Sequence, residues 1–160
     1  MRIPERGLER DKIFETLESF RAGDLNWKGG RTFAYYYDAG PEVDAVAKEA
    51  FVRFMSENAL DPTVYPSLLK MENDVVAMAA NHLGGDDATV GSFTSGGTES
   101  IICAVKAARD HARVHKPEIE RPHMVLPATG HASFQKAAKY LGYDMSVVDV
   151  DPETYKADPQ

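Results

Sequence analysis

Cysteine, basic charge and long apolar runs are all scarce in this sequence, and each shortage sets aside a class of protein. The single cysteine, Cys103, has no second thiol for an internal disulfide and no nearby Cys or His at zinc-ligand spacing. Neither a disulfide-stapled secreted scaffold nor a structural zinc site is indicated, and a reducing cytoplasm is the expected compartment. Acidic residues outnumber basic ones, giving a formal net charge of -7 at pH 7. That balance works against nucleic acid as a partner, because binding a phosphate backbone needs clustered Lys and Arg. No apolar run approaches the roughly 20 residues of a membrane-spanning helix. The opening stretch MRIPERGLERDKIFETL is charged throughout and lacks the apolar core of a signal peptide. No repeat or biased tract appears, and the apolar content of 43% is that of an ordinary globular chain.

What is present is a succession of helix and strand patterns. Residues 8–21 carry Ile13, Leu17 and Phe20 on one stripe before Gly23, which predicts an amphipathic helix. Residues 26–40 mix glycines with Phe33, Tyr35, Tyr36 and Tyr37 without a period and read as an ordered loop. Pro41 opens a second helix, and a third runs from about Ser67 to His82 before Gly84 and Gly85. The pattern then changes. A strand is predicted over 88–94, a turn at Gly96 and Gly97, and a helix over 98–115. A strand over 123–126, a helix over about 131–141 and a strand over 145–150 follow, completing βαβαβ. This alternation predicts an α/β fold with a mostly parallel sheet. Asp158-Pro159 resembles the cap and first position of a further helix, so the expectation is that 160 residues are part of a larger fold.

Two places carry chemistry. The stretch TSGGTES, residues 94–100, lies between a predicted strand and a predicted helix. Free N–H groups at a helix start attract an anion, and glycines let phosphate oxygens approach the backbone closely. Thr98 and Ser100 add hydroxyls. On its own a Gly-Gly pair with a Ser or Thr beside it also reads as an ordinary capped turn. His131 follows the carboxyl end of the second predicted strand, where open α/β sheets gather ligands, so it and the SGGT turn should face one crevice. An imidazole there can stack on a flat ring or exchange protons, and alone it equally reads as a capping residue. His82, His111, His115 and His123 have no evident partners in the sequence and receive no role.

The segments GSFTSGGTESIICAVKAARDHAR, RPHMVLPATGHASFQKAAKYLG and YPSLLKMENDVVAMAANHLGG resemble the pyridoxal-phosphate enzymes of the group II decarboxylase superfamily, most closely its sphingosine-1-phosphate lyase branch. The resemblance runs from about residue 30 to the end. It implies a fold-type I enzyme, with residues 1–57 as an N-terminal helical segment and 58–160 as the first, incomplete part of the cofactor-binding large domain. It further implies pyridoxal 5'-phosphate as cofactor, a homodimer with the active site at the subunit interface, and a small amine or amino-acid substrate. Residue by residue, Gly96, Gly97 and Thr98 correspond to the turn that holds the cofactor phosphate. His131 corresponds to the histidine over the pyridine ring. Tyr37, Asn58 and Tyr65 correspond to residues around the active-site rim.

Asp61 departs from the lyase branch, which has a histidine there, and NALDP also resembles the matching segment of amino-acid decarboxylases. A carboxylate at this place repels a phosphorylated substrate. None of the lysines lies in the family's Schiff-base motif, so the 160 residues alone are expected to be inactive. Three readings therefore stand: a carbon–carbon lyase, an amino-acid decarboxylase, and a non-catalytic module that binds a phosphate-bearing ligand or a partner.

Overall fold

A computed structural model describes residues 3–30, 32–34 and 36–157. Tyr35 and the Asp158-Pro159 pair, both part of the sequence reading, lie outside the described residues. The chain divides into two compact units, Met1–Glu57 and Asn58–Gln160.

In the first unit, α1 spans Arg10–Phe20 and runs into a single 3-10 turn, Arg21–Gly23. Its expected stripe of Ile13, Leu17 and Phe20 forms but stays open, at 42%, 48% and 67% exposed. A loop with its own ties follows. The Trp27 and Tyr36 rings meet edge to face at 4.5 Å, and the Tyr36 hydroxyl donates to the Trp27 carbonyl. Helix α2, Pro41–Arg53, starts with proline at its first position, where the missing N–H costs no helical bond. Its Asp44 accepts from Lys48 at 2.7 Å and from Lys28 at 3.2 Å, tying the loop to the helix. Those two ammonium groups hold the Asp44 carboxyl below its ordinary pKa.

In the second unit, α3 spans Pro66–His82, and α4 spans Gly97–His115. Strand β1, His123–Pro127, is followed by α5, Ala132–Leu141, and by β2, Asp144–Val148. The two strands are parallel neighbours, with Leu126 opposite Val147 and Pro127 opposite Val148. A parallel pair needs a crossover, and α5 provides it. Helix α4 packs on α5, and α5 on β2. Among the described residues, Val105, Leu126, Ala137 and Ala138 are the buried apolar ones, so two alanines let the helices approach closely. The Tyr143 hydroxyl donates to the Val105 carbonyl at 3.0 Å, and burial pushes its pKa above the ordinary 10. Gly142 ends α5 in the left-handed region, at φ 76°.

The expected strand over 88–94 is not found. A strand exists only through a neighbour's hydrogen bonds, and this segment has none in a ladder among the described residues. It lies instead along α3. A Cβ on Gly91 would come within 3.0 Å of Val76, and Phe93 lines an apolar groove of about 250 Å³ with Leu68, Met71 and Val75. The sheet therefore has two strands rather than three. The last strand also ends earlier than expected: Val150 pairs with Ala157 in an isolated antiparallel bridge around a turn that Asp151 caps. No helix among the described residues is long and apolar enough to cross a membrane.

Candidate functional site

The site is built where two helices begin. At α4, Gly96 is the N-cap and has no side chain to offer, so no side-chain bond caps the first turn. The Gly96 carbonyl accepts from the Ser100 N–H at 3.1 Å and from one of the Thr94 and Ser100 hydroxyls, whose oxygens lie 3.2 and 3.3 Å away. Those hydroxyls lie 2.5 Å from each other. Glu99 reaches back to accept from the Ser95 N–H at 2.7 Å, and the Ser95 side chain together with that N–H holds its carboxyl below the ordinary range. The bond runs from the third helical residue to the residue before the N-cap, and it orders the turn before the glycines. Glu99 also places a negative charge at this helix end, but it is fully exposed and screened.

At α5, the chain leaves the carboxyl end of β1 through a tight turn in which the Gly130 N–H donates to the Pro127 carbonyl at 2.7 Å. A Cβ on Gly130 would lie 2.6 Å from Leu126 Cδ1 and 2.9 Å from the Pro127 oxygen, so only glycine fits. The turn delivers His131 as the N-cap of α5, its Nδ1 accepting from the Ser133 N–H at 3.1 Å. A ring whose Nδ1 accepts carries its proton on Nε2 when neutral.

Ser133 joins the two helix starts, its Oγ lying 2.9 Å from Thr98 Oγ1. Thr98 and His131 are thus both hydrogen-bonded to one residue, which brings the start of α4 and the start of α5 together. The other sequence candidates are not joined to this cluster by any hydrogen bond among the described residues. Tyr37 belongs to the first unit and is fully exposed. Asn58 accepts from the Leu60 N–H at 3.1 Å in a local turn. Tyr65 precedes α3 and is half-buried beside Ala59, Pro62, Leu69 and Glu72. Asp61 accepts from the Thr63 hydroxyl and N–H at 2.7 and 2.8 Å, bonds that hold its carboxyl below the ordinary range.

Three features escaped the sequence reading. Gly130 and Ser133 stand inside the ATGHAS stretch, and the clash that makes one necessary and the burial that makes the other notable arise only in three dimensions. His123 was expected to lack a partner, yet its Nε2 lies 2.9 Å from Ser146 Oγ on the neighbouring strand. Among the described residues no group of three or more His, Cys, Asp or Glu could hold a metal.

This arrangement suits a phosphate-bearing, flat cofactor. Uncapped N–H groups and the positive helix end favour an anion. A Cβ on Gly96 or Gly97 would meet no protein atom within 4 Å, so close packing does not require these glycines, and the φ of 159° at Gly96 is one that side-chain-bearing residues rarely adopt. The family model described as "Pyridoxal-dependent decarboxylase conserved domain" matches residues 1–160. The chain belongs to this family. Membership brings pyridoxal 5'-phosphate as the cofactor. Sphingosine-1-phosphate lyase of Drosophila melanogaster is 40% identical over 157 residues, which are 98% of this chain and 29% of that protein. A probable L-aspartate decarboxylase of Pyrococcus furiosus is 32% identical over 155 residues, 96% of this chain and 39% of that protein. The solved structure of a sphingosine-1-phosphate lyase of Burkholderia pseudomallei superposes with a TM-score of 0.86 at 38% identity, covering 99% of this chain and 38% of that one. The fold is that of the fold-type I pyridoxal-phosphate enzymes, of which the chain spans well under half.

Proposed function

We propose that the protein containing this chain is a pyridoxal-phosphate-dependent carbon–carbon lyase that cleaves a phosphorylated amino alcohol to an aldehyde. The lyase reading draws on the similarity to sphingosine-1-phosphate lyases, and the observation that supports the cofactor site is the junction of the two helix starts through Ser133, which brings Thr98 and His131 to one residue. Bound pyridoxal phosphate supplies an electron sink for the bond that breaks at the substrate's Cα. The backbone of Gly96, Gly97 and Thr98, with the Thr98 hydroxyl, holds the phosphate. His131 lies against the pyridine ring and keeps it oriented, and its Nε2–H is the group available for hydrogen bonding or proton exchange. Tyr37, Asn58 and Tyr65 are assigned to the rim of the completed site. Residues 58–160 form the first part of the cofactor-binding domain, 1–57 form an N-terminal helical segment, and the working form is a cytoplasmic homodimer.

A decarboxylase reading draws on the Pyrococcus relative and on Asp61 in NALDP. The bonds from Thr63 hold the Asp61 carboxyl ionised, so its repulsion of a phosphorylated substrate is the observation that favours this second reading. Product analysis with the full-length protein separates the two: a lyase releases an aldehyde and a decarboxylase releases carbon dioxide. The same protein tests the site. His131→Phe keeps a flat stacking surface and should retain cofactor better than His131→Ala. Equal cofactor affinity and unchanged turnover in both variants would remove His131 from the ring.

A further inference from the structure

Ser133 is the buried polar residue among the described residues, at 4% exposed, and its two bonds run to different parts of the site. Its N–H donates to His131 Nδ1 at 3.1 Å, and its Oγ pairs with Thr98 Oγ1 at 2.9 Å. In a pair of hydroxyls one donates and the other accepts. If Thr98 donates to Ser133, it presents only lone pairs to anything at the start of α4. If Ser133 donates, the Thr98 proton is free to point outward. A phosphate oxygen is an acceptor, so Thr98 can meet it only as a donor, and Thr98 must then accept from Ser133. The burial of Ser133 protects that bond from exchange with water, and its place in the first turn of α5 fixes the hydroxyl by the helix itself.

We propose that Ser133 is a positioning residue that turns the Thr98 proton toward the cofactor phosphate while its N–H holds the His131 ring, so that phosphate grip and ring orientation are set together. This inference rests on the phosphate-cradle reading of the SGGT turn. One backbone bond and one hydroxyl bond then couple two groups that lie 33 positions apart in the chain, Thr98 and His131.

The test compares the affinity of the full-length protein for pyridoxal 5'-phosphate and for pyridoxal, which lacks the phosphate. The proteins are wild type, Ser133→Ala, Thr98→Ala, the double variant and Gly97→Val. Loss of the neutral hydrogen bond that orients Thr98 predicts that Ser133→Ala weakens pyridoxal 5'-phosphate by about fivefold and pyridoxal by less than about twofold. The double variant should bind no more weakly than Thr98→Ala, because the serine acts through the threonine. Equal losses for both ligands, or losses that add in the double variant, would overturn the proposal. Should Ser133→Ala fail to fold, Ser133→Cys fills the same space with a poor donor, and a wild-type ratio of the two affinities in that variant would overturn it equally. If Thr98→Ala and Gly97→Val shift the ratio while the serine variants do not, this inference fails and the cradle reading stands. If none of them shifts it, the phosphate is not held at this turn and both fail.

Discussion

Helices α4 and α5 with their two strands, and helices α1 and α2 of the first unit, carry the same kind of apolar stripe and meet different fates. The stretch from Gly97 to Val148 buries Val105, Leu126, Ala137 and Ala138, because each element finds a partner within a few tens of residues. Helices α1 and α2 bury no residue, and Val46, Phe51 and Val52 of α2 are each about 70% exposed. A helical period therefore specifies which face is apolar, while burial depends on whether a matching surface is present. The candidate site belongs to the region where local partners suffice, and its precision comes from that packing.

The strongest way to break this contrast is to cut into both stripes. In the 160-residue chain, Leu126→Ala removes a side chain that is 5% exposed and should cost about 2–5 kcal/mol in denaturant unfolding. Phe51→Ala, at a position 72% exposed, should stay within about 0.5 kcal/mol. Similar costs at the two positions would mean that α2 is packed as tightly as β1. A smaller effect is expected at the edge of the packed region. Tyr143→Phe removes the hydroxyl that donates to the Val105 carbonyl and should cost about 1 kcal/mol, read in the same unfolding experiment. No loss would show that water replaces that bond freely.

The same contrast explains what was legible in the sequence. Helices α2 to α5 and both strands were readable because prolines, glycines and apolar periods mark their ends, as Pro41, Pro66 and Gly142 do. The stretch 88–94 was read as a strand because its composition suits one, but strand formation depends on a neighbour, and the described chain offers α3 instead. The SGGT turn and His131 stand out in the sequence as a combination of motifs, and the structure joins Thr98 and His131 through Ser133. Ser133 was not, because in ASFQKAA it is an ordinary early-helix residue until Thr98, 35 positions earlier, is brought to within 2.9 Å of it. Nor was the need for glycine at 130 visible before Leu126 and the Pro127 carbonyl closed around it.

The smallest expected effect concerns two carboxyls, Asp44 in the first unit and Asp151 in the second, both held below the ordinary carboxylate pKa by different means. For Asp44 the leading causes are the hydrogen bonds from Lys48 and Lys28, which carry charge. For Asp151 they are backbone N–H groups of Thr154 and Glu153, at 2.7 and 2.8 Å, which carry none. Asp151 is exposed, and the Asp44 side chain is about one-third exposed. Salt shortens the reach of charge from about 10 Å at 0.1 M to about 3 Å at 1 M but leaves neutral hydrogen bonds in place. Raising salt should therefore move the Asp44 pKa up toward its ordinary value and leave that of Asp151 nearly unmoved, as followed by carboxyl carbon chemical shifts. Because both folded values are depressed, each group favours the folded state above the unfolded carboxylate pKa, and that contribution disappears as pH falls through the folded value. At high salt the share from Asp44 should shrink while that from Asp151 persists. Equal movement of both carboxyls would show that the Asp44 ties to Lys28 and Lys48 act as ordinary hydrogen bonds rather than as ion pairs.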